Sequence, residues 1–326
     1  MTTLSRRTLL RLAAALPALP ALAVVPALAV VPGCSRGSQR HRLTLASGPV
    51  NGPYAIFGKR LADVLERRGD GITLQVRTTS ASVENLRLLG SGQADLAMGL
   101  GDSAADAVVG LGPFPSPQPV TALARVYLNY THLVVAAGSP VRKAADLAGR
   151  KVSLGADGSG TAVVGERVLN AARLSKPVRA SRLGLDESVE ALANGTIEAF
   201  FWSGGVPTSA IAGLTGRMPI RLVPLNGLAA ELSRAHGPTY VSVSVPAGTY
   251  GQRTEVPTVG VPSYLMARPG LSSTVAYEVT RAMFESRDSL PGPESPGAHL
   301  DERYAIGTGT VPLHPGAVRY YRSVYG

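Results

Sequence analysis

The sequence predicts an α/β fold built from two open strand-and-helix units. Three observations carry that expectation. Strand-like and helix-like runs alternate from residue 43 to residue 100; the alternation restarts after residue 146; and each unit holds a glycine-rich loop between a strand and a helix. The chain has 326 residues and 45% are hydrophobic, enough to fill a large core, which excludes wholesale disorder.

In the first unit, residues 43–47 read as a strand and residues 53–68 as a helix. Phe57, Leu61, Val64 and Leu65 share one face of that helix, and Lys59, Arg60, Asp63, Glu66 and Arg67 share the other. A strand over 72–78, a helix over 82–89 with Val83, Leu86 and Leu89 inward, and a strand over 95–100 complete a parallel pattern. A proline-rich connector spans 112–119, and a β-rich stretch over 121–137 is broken near Asn129. The second unit reads as strand 151–154, helices 160–172 and 187–193, strand 197–202, helix 207–214 and strand 220–224. A strand over 258–267, a helix over 272–286 and a terminal helix over 314–325 follow. A chain that leaves the first unit, builds the second and returns crosses twice. The crossings are expected within several residues of 138 and 256. Loops at the carboxyl ends of the strands of both units can then grip a ligand from two sides.

The formal net charge is +10, but Arg6, Arg7, Arg11, Arg36, Arg40 and Arg42 precede residue 43 with no acidic residue among them. The body therefore carries only +4, too little for a nucleic-acid-binding face, and no nucleic-acid partner is expected. Residues 1–33 read as a signal peptide, with Arg6-Arg7 suggesting twin-arginine export, an Ala/Leu/Val/Pro stretch to Val31, and Val31-Pro32-Gly33-Cys34 resembling a lipobox. Cys34, the only cysteine, is then the lipidated first residue of a lipoprotein on the outer face of the cytoplasmic membrane, tethered by residues 34–42. A plain periplasmic or extracellular protein and an uncleaved anchor are the alternatives, although prolines at 17, 20, 26 and 32 suit a spanning helix poorly.

A lone cysteine forms no internal disulfide, and the histidines at 41, 132, 236, 299 and 314 never fall at metal-ligand spacing, so no cofactor or metal is expected. The match of residues 33–37 to the serine-hydrolase elbow lies at the cleavage site and lacks the strand before it and the helix after it. The loop over 46–54 reads either as a tight turn or as an anion site at a helix start. The loop over 156–161 offers two hydroxyls, and Ser159 or Thr161 either caps the helix or meets a ligand. Neither loop completes a Walker or dinucleotide pattern.

Segments along almost the whole body resemble the solute-binding subunits of the TAXI branch of the tripartite ATP-independent periplasmic (TRAP) transporters. They are residues 47–58, 82–89 with 91–96, 158–161, 194–201, Pro246-Ala247-Gly248-Thr249-Tyr250, 256–262, and Pro312-Leu313-His314-Pro315-Gly316 running on to Tyr321. The resemblance implies a two-lobed periplasmic-binding-protein-like (type II) fold, with residues 43–137 and 256–326 as one lobe and 138–255 as the other, joined by two crossing strands. It implies a non-catalytic receptor that captures a small acidic solute, a glutamate-like amino acid or an organic acid, and passes it to a TRAP-type permease. By position it assigns ligand contacts to Ser47, Gly48, Asn51, Tyr54, Ser82, Asn85, Asp102, Ser159, Gly160 and Thr161, with Trp202 and Ser203 lining the cleft. The first loop departs from the family pattern at Pro49, Val50 and Pro53. Trp202 also departs, standing before the turn Ser203-Gly204-Gly205-Val206-Pro207, and reads either as a pocket wall or as packed core. A ligand-sensing lipoprotein that works with a membrane kinase, or an exported hydrolase, are the other readings.

Overall fold

The computed structural model describes residues 40–50, 52–290 and 300–326. The expected signal peptide, the lipidated Cys34 and the contact residue Asn51 lie outside the described residues, as does most of the tether. Its last two residues, His41 and Arg42, already belong to strand β1 (His41–Ala46).

Helix α1 (Pro53–Arg68) forms where expected. Pro53 occupies its first turn, where a missing N–H costs nothing, and Gly69 ends it in the left-handed conformation at φ 69°. Phe57, Leu61, Val64 and Leu65 are buried, each such burial contributing roughly 1.5–3 kcal/mol. Then come β2 (Ile72–Arg77), α2 (Ser82–Gly90), β3 (Leu96–Leu100) and α3 (Gly101–Val109), a helix that sequence periodicity did not reveal because its apolar residues are mostly alanine. Strand β4 (Thr121–Ala136) runs unbroken through Asn129, which pairs with Val261; the expected interruption is absent. The second half of the chain adds β5 (Lys151–Ser153), α4 (Gly160–Ala171), β6 (Arg179–Ser181), α5 (Leu185–Ala193), β7 (Ala199–Gly204), α6 (Ser209–Thr215) and β8 (Ile220–Leu222). It continues with α7 (Ala229–His236), β9 (Val241–Val245), β10 (Val256–Ala267), α8 (Ser273–Glu285), the short α9 (Glu302–Ala305) and α10 (Pro315–Tyr325). Of these, β6, α7, β9 and α9 had no counterpart in the sequence reading.

All the strands join through β4 and β10, in the order β2-β1-β3-β10-β4-β7-β5-β6 with β8 on β4 and β9 on β10. At ~3.3 Å per residue, the 16 residues of β4 reach about 50 Å, long enough to serve two sheets. Its first part pairs antiparallel with β10 and its last part with β7 and β8, and Tyr130 pairs with both Gly260 and Gly204. Strand β10 pairs with β9 up to Gly260 and with β3 from Ser263. These two strands thus carry one sheet into the next.

Alternation sends neighbouring residues to opposite faces. Leu43 and Leu45 enter the core under α1, α8 and α10, whereas Ala46 enters the core under α2 and α3. The second sheet is likewise covered on both faces, with Val135 and Phe201 on one side and Val134 and Phe200 on the other. Leu100, from β3, packs into a core cluster of the second sheet, while Val163, from α4, packs into one of the first. The two halves are closed upon each other.

Candidate functional site

Four helices begin at one cavity in the seam between the halves. Its wall includes Gly52, Pro53 and Tyr54 at the start of α1, Ala81 and Ser82 at the start of α2, Ser159, Gly160 and Thr161 at the start of α4, and Gly184 and Leu185 at the start of α5. Leu100 at the end of β3, Asn129 in the middle of β4, and Phe201, Trp202 and Ser203 in β7 complete it, with Pro49, Ser80, Gly155, Ala156 and Leu183. Strand-to-helix loops place helix N-termini, with their partial positive charge, at the carboxyl ends of the strands. About 50 Å³ of the cavity is open to the centres of water molecules, so its occupant is small.

Close approach sets the shape. A Cβ on Gly160 would lie 2.5 Å from Ser82 Oγ and 2.7 Å from Leu100 Cδ1, so only glycine lets α4 meet α2 and β3. Gly158, at φ 73°, accepts the N–H groups of Val83 and Glu84 at 3.1 Å each, so its carbonyl caps the first turn of α2 from the opposite half. Gly204 leaves room for the indole of Trp202, which would sit 2.4 Å from a Cβ there. That ring lines the cavity while its N–H donates to Thr208 Oγ1 at 3.0 Å.

Among the described residues the wall carries no charged side chain. Tyr54 is held neutral, because burial pushes its hydroxyl up to about 12 against the hydrogen bonds that would lower it. The Tyr54 hydroxyl lies 2.9 Å from Ser263 Oγ, and Asn129 Nδ2 donates to Ser263 Oγ at 2.6 Å and reaches Tyr54 at 3.3 Å. Asn129 Oδ1 has no partner although the residue is only 2% exposed, and Ser203 Oγ, on a residue 9% exposed, has none either. A buried polar atom left unpaired costs about 1–3 kcal/mol, and these two belong to residues of the cavity wall.

Of the twelve contacts expected from sequence, the cavity gathers Tyr54, Ser82, Ser159, Gly160, Thr161, Trp202 and Ser203. Ser159 meets both readings: it lines the cavity, and its Oγ caps α4 by accepting from Ala162 N at 3.1 Å while donating to Ala156 O. Four others are used inside the fold. Ser47 Oγ donates to Arg77 O at 2.9 Å, and Gly48 O accepts from Thr79 N. Asn85 is saturated: Nδ2 donates to Ser47 O and Met98 O at 2.5 and 2.7 Å, and Oδ1 accepts from Thr79 Oγ1. Asp102 does not face the cavity. Its carboxylate accepts from Arg167 Nη1 at 3.1 Å and from the Tyr240 hydroxyl at 2.5 Å, and Arg167 Nη2 also reaches Asp106 at 2.5 Å. This buried cluster latches α3 to α4. Burial opposes the Arg167 charge, but Asp102, Tyr240 and Asp106 outweigh it and raise its pKa, while burial pushes the Asp106 carboxyl up despite Arg167.

Sequence reasoning missed Asn129, Leu100, Phe201 and the α5 start. For Asn129 a signal existed: a polar amide inside a largely buried strand needs a partner or a ligand.

Solved structures share this architecture. A putative L-cystine ABC transporter protein from Listeria monocytogenes superposes with a TM-score of 0.51 at 13% identity, covering 80% of this chain and 100% of that one. A Xanthomonas citri protein, XAC2383, bound to ATP, superposes with the same TM-score at 14% identity, covering 87% of this chain and 95% of that one. The likeness establishes the fold, the two-lobed type II periplasmic-binding-protein architecture. The sequence profile of the NMT1-like family matches residues 45–324, nearly the whole body including every described wall residue, and the chain therefore belongs to the NMT1-like family.

Proposed function

We propose that this protein is a non-catalytic extracytoplasmic solute receptor, closing two lobes around one small acidic solute and passing it to a membrane permease. The observation that carries the reading is the cavity itself: helix starts from both halves converge on a small space whose wall holds two unpaired buried polar atoms. The positive ends of α1, α4 and α5 favour an anionic group there without a formal cation, the start of α2 being capped by the Gly158 carbonyl. The lobe boundaries expected at 137/138 and 255/256 are better drawn inside β4 and β10, near Tyr130 and between Gly260 and Ser263, where their strand partners change, and the hinge of the proposed closure lies there. The L-cystine ABC transporter protein with the same fold is named for a small solute, which agrees with this role.

The finer assignment, a TAXI-type subunit serving a TRAP permease and anchored through Cys34, rests on the resemblance of residues such as 246–250, 256–262 and 312–321. Among the described residues, no helix is long and apolar enough to cross a membrane. The test is a calorimetric and thermal-shift screen of the purified protein with amino acids, organic acids, sugars and nucleosides. A solute at a hundred times its dissociation constant adds about 2.7 kcal/mol of stability, a clear rise in Tm. Chemical conversion of a bound solute would overturn the non-catalytic reading.

A further inference from the structure

The chemistry of the cavity wall narrows the solute beyond "acidic", and the inference rests on the solute-receptor reading above. An α-amino acid brings a carboxylate and an ammonium, and a buried ammonium needs a carboxylate or several well-placed acceptors. Among the described wall residues there is no Asp or Glu, and Tyr54 is neutral. Glu84 is the nearest acid by sequence to the start of α2, and its Oε2 already accepts the Ser80 N–H and hydroxyl at 2.7 Å each. Nor does the wall hold an Arg or Lys to balance the second charge of a dicarboxylate. What it does hold is the starts of α1, α4 and α5, that of α2 being capped by Gly158 O, apolar surface from Leu100, Phe201, Trp202 and Leu185, and the unpaired Asn129 Oδ1 and Ser203 Oγ. Asn129 uses one end of its amide toward Tyr54 and Ser263, so in either amide orientation its other end is left for a ligand.

We infer that the solute is a compact monocarboxylate without an ammonium group, of the 2-hydroxy or 2-oxo acid class. Its carboxylate lies at the helix starts, its oxygen substituent pairs with Asn129 and Ser203, and its short apolar tail lies against Trp202 and Phe201.

The experiment is isothermal titration of the full chain with matched pairs that differ only at the substituent: lactate against alanine, 2-hydroxyisocaproate against leucine, and 2-hydroxyglutarate against glutamate. The hydroxy acid of the first or second pair is expected to bind at least on the order of 100-fold more tightly than its amino-acid partner. Ser203→Ala is expected to weaken that binding about tenfold while leaving the Tm of the unliganded protein unchanged or raised, because it removes an unpaired buried hydroxyl. An amino acid that matches or exceeds its hydroxy-acid partner would overturn the inference and leave the receptor reading standing. The same holds for glutamate or 2-hydroxyglutarate as the tightest ligand. Failure of every acid, amino acid, sugar and nucleoside to bind would overturn both.

Discussion

The seam between the two halves contains two patches with opposite chemistry. Around the cavity it is uncharged, built from helix starts, apolar side chains, and hydroxyl and amide groups of which two are unpaired. At the interface of α3 with α4 it is strongly charged and fully partnered, with Arg167 held between Asp102, Asp106 and Tyr240. Asp102 is completely buried and Arg167 is 8% exposed, so this ion cluster is shielded from water. The difference teaches that closing and recognition are separable: the latch favours the closed arrangement whatever occupies the cavity, and the cavity contributes only where a solute completes its bonds. Substitutions on one side should therefore move stability, and on the other affinity.

Removing the latch cation should have the largest effect. Arg167→Met leaves two carboxylates buried without their cation, and we expect a loss of about 3–5 kcal/mol in urea unfolding together with a larger radius of gyration in small-angle scattering. If the variant unfolds at the wild-type urea concentration, the latch is not what holds the halves together.

The next effect lies behind the cavity, on β4. Burial lowers the pKa of His132 from 6.5 to about 4, even though a backbone contact with Tyr130 would raise it, and its other nitrogen lies 3.4 Å from the Tyr250 hydroxyl. The folded protein resists this proton while the unfolded chain accepts it near pH 6.5, so stability is fully present above that pH and falls as the pH drops toward 4. The loss should reach about 3 kcal/mol, and His132→Gln should flatten that part of the pH profile. A wild-type profile level between pH 6.5 and 4 would contradict a neutral buried imidazole.

Steric change at the junction of the two patches should come third. Gly160→Ala places a methyl group 2.5 Å from Ser82 Oγ, which must either shift α4 or open the seam, at about 1–3 kcal/mol. The scattering profile should expand and solute affinity should fall together. Ser159→Ala should be mildest, losing the α4 cap at about 1 kcal/mol with the seam still closed.

The same contrast decides what could be read from the sequence. Local patterns were legible: the amphipathic face of α1, the strand-to-helix loops at 46–54 and 156–161, and the alternation that yields two sheets. Part of the cavity wall followed, because Tyr54, Ser159, Gly160 and Thr161 lie on those loops. The latch was not legible, since Arg167 meets Asp102 across 65 positions and Tyr240 meets Asp102 across 138, with no local pattern to join them. Asp102 was accordingly expected to touch ligand, whereas its charge is consumed by Arg167. Asn85, assigned to the ligand by the resemblance, meets three partners within the fold, the Ser47 and Met98 carbonyls and the Thr79 hydroxyl, which no local pattern joins to it. Asn129 shows the reverse case, in which a polar residue in an apolar run was read as a break in the strand and is instead an unbroken strand position with a free amide atom.

Trp202 is the only tryptophan in the chain and stands in the cavity wall, so its fluorescence reports on that cavity alone. Titrating the protein with 2-hydroxyisocaproate while following this emission tests the central claim most directly. A saturable change in intensity or wavelength, with the same dissociation constant as calorimetry and weakened about tenfold in Ser203→Ala, is the predicted result. Calorimetric binding that leaves the Trp202 emission untouched would mean the solute sits elsewhere and would contradict the account.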